Sequence, residues 1–422
     1  MAPFPDDADD TEKDGPNGAE LSVCDHFCTL TGAINYPDSV EFLYKLGNEI
    51  ATAKLGLERI RTLLAELGNP ECAFRVIHVA GTNGKGSTCA MIEAALRTAG
   101  HHTGLYTSPH LVDPTERIQI NAQPVTPEQF AAAFNKVHAV AERTPPHPTY
   151  FETVTAMGFL IFREAGVHVA VVEVGLGGRL DATNVVQPEV TVITPVDFDH
   201  ERFLGSSIEQ IAAEKAGILK PRVPAVFAAQ RPEADRVLTA RAAELGLRVI
   251  RSSAVRELPV RPPLAGRHQI ENARTAVATL TLLGVDARGI ANARWPGRLE
   301  QVASRPDIIL DGAHNPAGAR ALAEHIREQY GARPVWIVFG AMRDKAVSEI
   351  GEILFPLADR VILTAPAQAR AVHPQALQLE GVTMAPNVAA AIELARSAPS
   401  GAAVFITGSL YLVGEARAIL VK

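Results

Sequence analysis

Residues 75–96 read RVIHVAGTNGKGSTCAMIEAAL: an apolar run, a loop with three glycines and a lysine, then an alanine-rich stretch of helical character. A buried strand feeding a glycine-rich turn and then a helix is the setting in which a phosphate is held. Glycines let backbone N–H groups turn toward phosphate oxygens, the helix N-terminus adds partial positive charge, and Lys85 adds a full one. The candidate nucleotide-binding residues are therefore Gly81, Thr82, Asn83, Gly84, Lys85, Gly86 and Ser87. The strict pattern GxxxxGK[ST] is not met, because Val79 occupies the first glycine position and Gly86 follows Lys85. A tight βα turn with a solvated lysine is the plain alternative. The joint occurrence of a strand, Gly81, Gly84, Lys85 and Ser87 favours the phosphate cradle.

Working outward, short β-branched runs alternate with longer helical stretches, the pattern of a parallel α/β architecture. Strands are expected at 74–80, 102–107, 167–174 and 190–196, and helices at 87–98, 127–140, 151–165 and 208–218. A second α/β series follows NARWPGRLE, with strands at 307–311, 334–341, 359–365 and 402–408 and a helix at 317–329. The WPGR turn at 295–298 is the expected domain boundary. A nucleotide site at the join is physically natural, since clefts between domains concentrate ligands and closure motions.

At 422 residues the chain exceeds the size at which one core keeps growing, so two domains are expected. The net charge of -7 is misleading, because residues 1–20 hold seven acids against Lys13 alone. The remainder is nearly neutral, with no electrostatic footprint for nucleic acid or an anionic membrane, which points to small-molecule partners. The acidic, Pro/Gly-punctuated segment 1–32 is expected to be disordered and is too acidic for a targeting peptide, leaving a cytoplasmic location as the expectation. No apolar run approaches the roughly 20 residues of a membrane-spanning helix. The four cysteines, Cys24, Cys28, Cys72 and Cys89, suit reduced thiols rather than a disulfide framework, and the Cys24–Cys28 segment lacks a second half for a zinc site.

VAVVEV ends in Glu173, a carboxylate closing an apolar run. If buried it must meet a cation or take up a proton; a strand-end glutamate facing water is the alternative. GLGGRLDATN follows, with its third glycine misplaced for a dinucleotide fingerprint, so that reading is rejected. Two loops, YTSPHL with Ser108 and His110 and FDHERFLG with Asp199 and His200, and the helical Lys215 of IAAEKAGI decide nothing alone. Histidines in loops are commonly solvent-facing or packed, and a lysine on a helix is commonly exposed.

Taken together, HVAGTNGKGST, TSPHL, TYFE, EVGLGGRLDATN, DH, EKAGI, HQIENA, WPGRLE, DGAHN, FGAMRDK and TGSL resemble, in order, the folylpolyglutamate synthase and dihydrofolate synthase family of the Mur ligase superfamily. The resemblance runs from about Asn35 to Gly414. It implies an N-terminal P-loop-containing ATPase domain with a mainly parallel sheet (33–296) and a smaller Rossmann-like C-terminal glutamate-ligase domain (297–422). It also implies a reaction in which a carboxylate of dihydropteroate or a reduced folate takes the γ-phosphate of ATP and the acyl phosphate is then captured by L-glutamate. Transfer between anions needs charge neutralisation and positioning, so Lys85, the loop amides and Mg²⁺ are the expected catalysts.

The resemblance assigns further residues. A first Mg²⁺ falls to Ser108 and Glu173 and a second to His200, with Lys215 carbamylated and so converted from a repelling cation to a carboxylate-like group. ATP contacts are expected from Asn272, Arg298 and Asp311, a catalytic role from His314 as well as from His200 and Lys215, and pterin contacts from Leu55, Phe151, Glu152 and Asp181. Members commonly act as monomers. Asp197, Glu201 and Arg202 are local departures that crowd His200 with charge. The bifunctional enzyme is the leading reading and monofunctional folylpolyglutamate synthase the near alternative. A peptidoglycan ligase is disfavoured, since only some forty ordered residues are expected ahead of the phosphate-loop strand. A nucleotide-driven switch protein would hydrolyse ATP without either acceptor.

Overall fold

The computed structural model describes residues 33–47, 56–377 and 380–421. Leu55, Cys24, Cys28 and the acidic segment 1–32 lie outside the described residues. Two sheets organise the described chain. The first has the order β4-β3-β2-β5-β1-β6-β7-β8. Its strands are β1 (Arg75–Ala80), β2 (Thr103–Tyr106), β3 (Ile118–Ile120), β4 (Gln123–Pro124), β5 (Val169–Glu173), β6 (Val190–Ile193), β7 (Ala225–Phe227) and β8 (Val249–Arg251). All neighbours pair parallel except β2–β3 and β3–β4. The expected strands and helices are all present, within a few residues at their ends.

The central strands read as unbroken apolar runs because helices cover both faces of the sheet. On one side Tyr36–Lys45, Glu58–Glu66, Pro127–Ala141 and Tyr150–Glu164 enclose a core around Phe130, Phe134, Phe159 and Phe162. On the other, Lys85–Thr98 and Arg267–Leu283 pack Met91, Ile92 and Leu280 against Ile77, Val79 and Val171. Strands β3, β7 and β8 span three residues each and the edge strand β4 two. Runs that short carry no readable alternation, which is why they were not expected.

The second sheet has the order β13-β12-β11-β14-β10-β9. It comprises β9 (Glu300–Ala303), β10 (Asp307–Leu310), β11 (Val335–Phe339), β12 (Arg360–Leu363), β13 (Thr383–Met384) and β14 (Ala403–Thr407), parallel apart from β9. The unforeseen β9 is half-exposed and closes an edge. Both sheets turn the carboxyl ends of their strands toward a shared cleft, the end at which open α/β sheets bind ligands. Among the described residues no helix is long and apolar enough to cross a membrane.

Candidate active site

β1 lies between β5 and β6, so its carboxyl end delivers the phosphate loop to the middle of the sheet. Gly81 (φ 149°) and Gly84 (φ 82°) take backbone conformations that favour glycine. They are also crowded: a Cβ on Gly81 would meet Thr194 Oγ1 at 1.8 Å, and one on Gly84 would meet Asn272 Oδ1 at 2.3 Å. The helix Lys85–Thr98 starts with no side-chain cap, which leaves its first N–H groups available to an anion. Thr82 braces the loop: its hydroxyl donates to the Asp197 carbonyl (2.9 Å) and its N–H to that of Pro195 (2.9 Å).

The loop's neighbours are the residues expected to do chemistry. Lys85 Nζ donates to the Thr82 carbonyl (3.2 Å) and lies 3.9 Å from Glu173 Oε1. Glu173 is buried at the end of β5, against the alternative that it faces water. Burial pushes its carboxyl up to about 7, partly opposed by the charge of Lys85 and by the Ser108 N–H, which approaches Oε2 at 3.4 Å. Glu173 is thus an acid kept short of positive charge.

Across the loop, Lys215 departs from the common case of an exposed helical lysine: it is 3 % exposed, and Nζ donates to the Gly81 carbonyl (2.9 Å). Its helix Ile208–Ala216 packs against the sheet, so the side chain has nowhere else to go. Burial, helped by the charge of Lys85, brings its ammonium down to about 7. FDHERFLG, expected as a loop, contains the short helix Glu201–Leu204 with His200 at its start (φ 53°). His200 is pushed down to about 4, chiefly by burial. Asp197 points its charge away, to Arg231 (3.1 Å) and Arg320 (3.6 Å), while Glu201 and Arg202 are exposed. The crowding expected around His200 is therefore relieved by geometry.

The second sheet contributes the far wall. Asp311 closes the DGAHN turn by accepting from Leu299 N–H (3.0 Å) and Ala313 N–H (3.0 Å), and it faces Arg298, whose guanidinium is desolvated there. His314 Nδ1 sits 2.8 Å from the Gly312 carbonyl and Nε2 lies 3.4 Å from Asp199 Oδ2. Asn83 and Asn315 exchange amide hydrogen bonds at 3.3 and 3.0 Å, tying the phosphate loop to that turn. Lys345 Nζ meets Asp199 Oδ1 at 2.5 Å and approaches His200 Nε2 at 3.4 Å. Asp199 was noted from sequence without a role, and its partners Lys345 and Asn315, like Gln269, were not singled out. FGAMRDK was quoted as a motif, but nothing local shows that its lysine crosses to the other sheet. Gln269 joins Asn272 (3.0 Å) and Ser87 (3.3 Å) beneath the loop.

The residues expected at the pterin are gathered on one flank of the cleft. The Phe151 ring lies directly on Gly175, where a Cβ would meet it at 2.4 Å. Glu152 completes a capping box with Thr149 and pairs with Arg59 (3.0 Å), while its Oε1 is buried with no hydrogen-bond partner among the described residues. Asp181 is buried and accepts from Leu176 N–H (2.8 Å) and Thr183 N–H (3.0 Å), so it organises the GLGG loop as well as lining the cleft. The cavity bounded by these groups and both sheets measures about 460 Å³, the size of a small-molecule site.

A phosphate loop on one α/β unit, closed by basic and amide side chains from a second, defines a Mur-type ligase. Residues 79–257 match the Mur ligase middle domain, and residues 297–410 match the Mur ligase glutamate ligase domain. Dihydrofolate synthase/folylpolyglutamate synthase of Bacillus subtilis is 34% identical, over 86% of this chain and 94% of its own length. E. coli FolC solved with DHPP and ADP superposes with a TM-score of 0.85 at 31% identity, covering 93% of this chain and 99% of that one. The bifunctional folylpolyglutamate synthase/dihydrofolate synthase of Yersinia pestis, solved with AMPPNP and a Mn ion, gives 0.83 at 31% identity, with 93% and 99% covered. The chain belongs to the dihydrofolate synthase/folylpolyglutamate synthase family, whose members are ATP-dependent ligases.

Proposed function

We propose that this enzyme joins L-glutamate to dihydropteroate and to reduced folates, spending ATP to activate the acceptor's carboxylate. The observation that carries the reading is the meeting, in one cleft, of an uncapped phosphate loop, the cation-poor Glu173 and a second-sheet wall of Arg298, His314 and Lys345. A carboxylate oxygen of the acceptor attacks the γ-phosphorus and the bond to the β-phosphate oxygen breaks, releasing ADP. The glutamate nitrogen, as its free amine, then attacks the acyl carbon, phosphate leaves, and the nitrogen loses one proton and keeps one N–H as the amide forms. Lys85 and the loop amides hold the γ-phosphate. Asn272, from the helix Arg267–Leu283 on the first sheet, and Arg298 and Asp311, from the side of the second sheet, hold the nucleotide. His314 lines the approach of the amine, and the Phe151, Glu152 and Asp181 flank takes the pterin, a role we also propose for Leu55.

The residues present fit a hard divalent cation. Glu173 is a buried acid lacking a full counter-charge, and Ser108 on the adjacent loop adds a hydroxyl oxygen. Mg²⁺ prefers oxygen ligands and commonly completes its shell with phosphate oxygens and water. Bound there, Mg²⁺ neutralises charge on the transferring phosphate. A second seat falls to His200, with Lys215 carbamylated. An amine held near 7 is substantially neutral at physiological pH and able to add CO2 with loss of a proton. The carbamate nitrogen keeps one N–H for the Gly81 carbonyl. We place the domain boundary at the WPGR turn, dividing 33–296 from 297–422, and take the enzyme to be a cytoplasmic monomer.

The test is a mass-resolved product assay offering dihydropteroate and tetrahydrofolate in parallel, wild type against Lys85→Ala. Glutamate adducts of both acceptors, lost in the variant, are expected. Adducts of the folate alone would reduce the activity to folylpolyglutamate synthase, and phosphate release indifferent to acceptor and glutamate would overturn the ligase reading.

A further inference from the structure

Gly86 is the residue at which the phosphate loop departs from the usual pattern beside its lysine, and its surroundings supply a reason. It lies in the first turn of the helix Lys85–Thr98 and is not among the glycines with positive φ, so the backbone there does not require glycine. Space does. A Cβ on Gly86 would lie 2.8 Å from Cζ2 and Nε1 of Trp295 and 2.9 Å from Cε2. The indole is flat and rigid, and it packs against the core that includes Met91 and Ala273, so it cannot swing aside as a flexible chain end would.

Trp295 opens the strap that crosses from one sheet to the other. Two residues on, the Gly297 carbonyl accepts the Gly312 N–H (2.9 Å), and Leu299 N–H reaches Asp311 (3.0 Å). Arg298 sits between those two ties. The strap is thus fastened at one end to the phosphate-loop helix and at the other to the DGAHN turn.

We propose that Trp295 is a positioning residue whose indole, seated on the bare Cα of Gly86, sets the register of Arg298 against the nucleotide in the loop. This rests on the reading of that loop as the ATP site. A serine or threonine at position 86, which the strict pattern would use to hold a metal, is excluded by the same ring. That leaves the metal-binding hydroxyl to come from another loop, and Ser108 stands beside Glu173.

Steady-state kinetics and binding of a fluorescent ADP analogue on Trp295→Ala, Trp295→Phe, Gly86→Ala and the Gly86→Ala/Trp295→Ala double variant test this. Trp295→Ala is expected to lower kcat by roughly tenfold while KM for ATP moves by less than about threefold, since the loop still binds but Arg298 loses its register. Trp295→Phe is expected to recover most of kcat. Gly86→Ala is expected to cost kcat through the same contact, so the double variant is no worse than Trp295→Ala alone. Multiplying losses in the double variant, or a wild-type kcat in Trp295→Ala, overturns the proposal.

A second measurement does not depend on those variants folding. The chain has two tryptophans, so Trp336→Phe leaves Trp295 as the sole emitter. Its emission is expected to shift on saturation with ADP, and unchanged emission with ADP bound overturns the coupling while leaving the ATP reading intact. Failure of the wild type to bind the analogue at all removes both.

Discussion

Two buried carboxylates flank the phosphate loop, and their fates are opposite. Glu173, on the β5 side, has one cation at 3.9 Å and is pushed up to about 7 by burial. Asp199, on the β6 side, has a side chain nearly as enclosed, yet the His314 hydrogen bond and the charge of Lys345 outweigh desolvation and hold it well below the usual carboxylate range. Asn315 adds a further hydrogen bond at 3.1 Å. The difference lies in which unit supplies the compensation. Partners from the second sheet saturate Asp199, whereas the charges around Glu173 do not offset its burial. A buried charge without its partner is costly, and a binding site can hold such a cost until the ligand relieves it.

The contrast can be broken most forcefully at Lys85. Lys85→Ala removes both the loop's full charge and the cation that acts most strongly on Glu173, ahead of Arg298 and Arg117. We expect kcat to fall by on the order of 10²–10³-fold in a coupled ADP-release assay, in line with losing one transition-state donor. A variant retaining most of its activity would mean that Lys85 does not face the transferring phosphate.

Asp199→Asn probes the saturated side. It leaves the Lys345 ammonium buried without its counter-charge, for which a loss of about 3–5 kcal/mol in urea unfolding is expected. A much smaller loss would place the Lys345 charge in contact with solvent.

Glu173→Gln sharpens the comparison through pH. An acid whose folded pKa is raised binds more protons folded than unfolded, so its ionisation costs stability as pH climbs from 4.5 toward about 7. Asp199 has the reverse sign: its contribution is present above its unfolded value of 3.8 and is lost as pH falls through its depressed folded pKa. His200, held near 4, adds a rise with pH between about 4 and 6.5 that partly masks the Glu173 slope. The quantity to measure is therefore the difference in unfolding free energy between wild type and Glu173→Gln, without divalent cation. The variant is expected to gain relative stability between pH 4.5 and 7, and a flat difference would show that Glu173 ionises freely.

The smallest effect is expected at Arg231, whose pairing with Asp197 is part-exposed. Arg231→Ala is predicted to change stability by less than about 1 kcal/mol and to leave kcat unaltered, because Asp197 directs its charge away from His200. A marked fall in activity would bring Asp197 into the chemistry.

Much of the site was legible because its chemistry is local. The strand, glycines and lysine of residues 75–87 are contiguous, and their function follows from backbone N–H direction and charge. Glu173 was readable as an anomaly, an acid ending an apolar run. Lys215 was picked out through the EKAGI resemblance, whereas its helix alone did not reveal its burial, since helical spacing does not show that Ile208–Ala216 lies against the end of a sheet. Asp199 and Lys345 were missed as a pair because 146 residues separate them. Strands β3, β4, β7, β8 and β13 were missed because two or three residues cannot display a period, and the part-exposed β9 because EQVA is not an apolar run.

The order of apolar runs and turn residues was enough to specify a parallel α/β chain in two series, and the short motifs were enough to specify a phosphate-handling ligase. Side-chain burial and cross-sheet partnership were not contained in that order. Desolvation depends on every element packed around a group, and Coulomb interactions depend on distances that only the folded chain establishes. That is why the raised Glu173, the depressed Asp199, the buried Lys215 and the seating of Trp295 on Gly86 emerge once the two sheets face each other across the cleft.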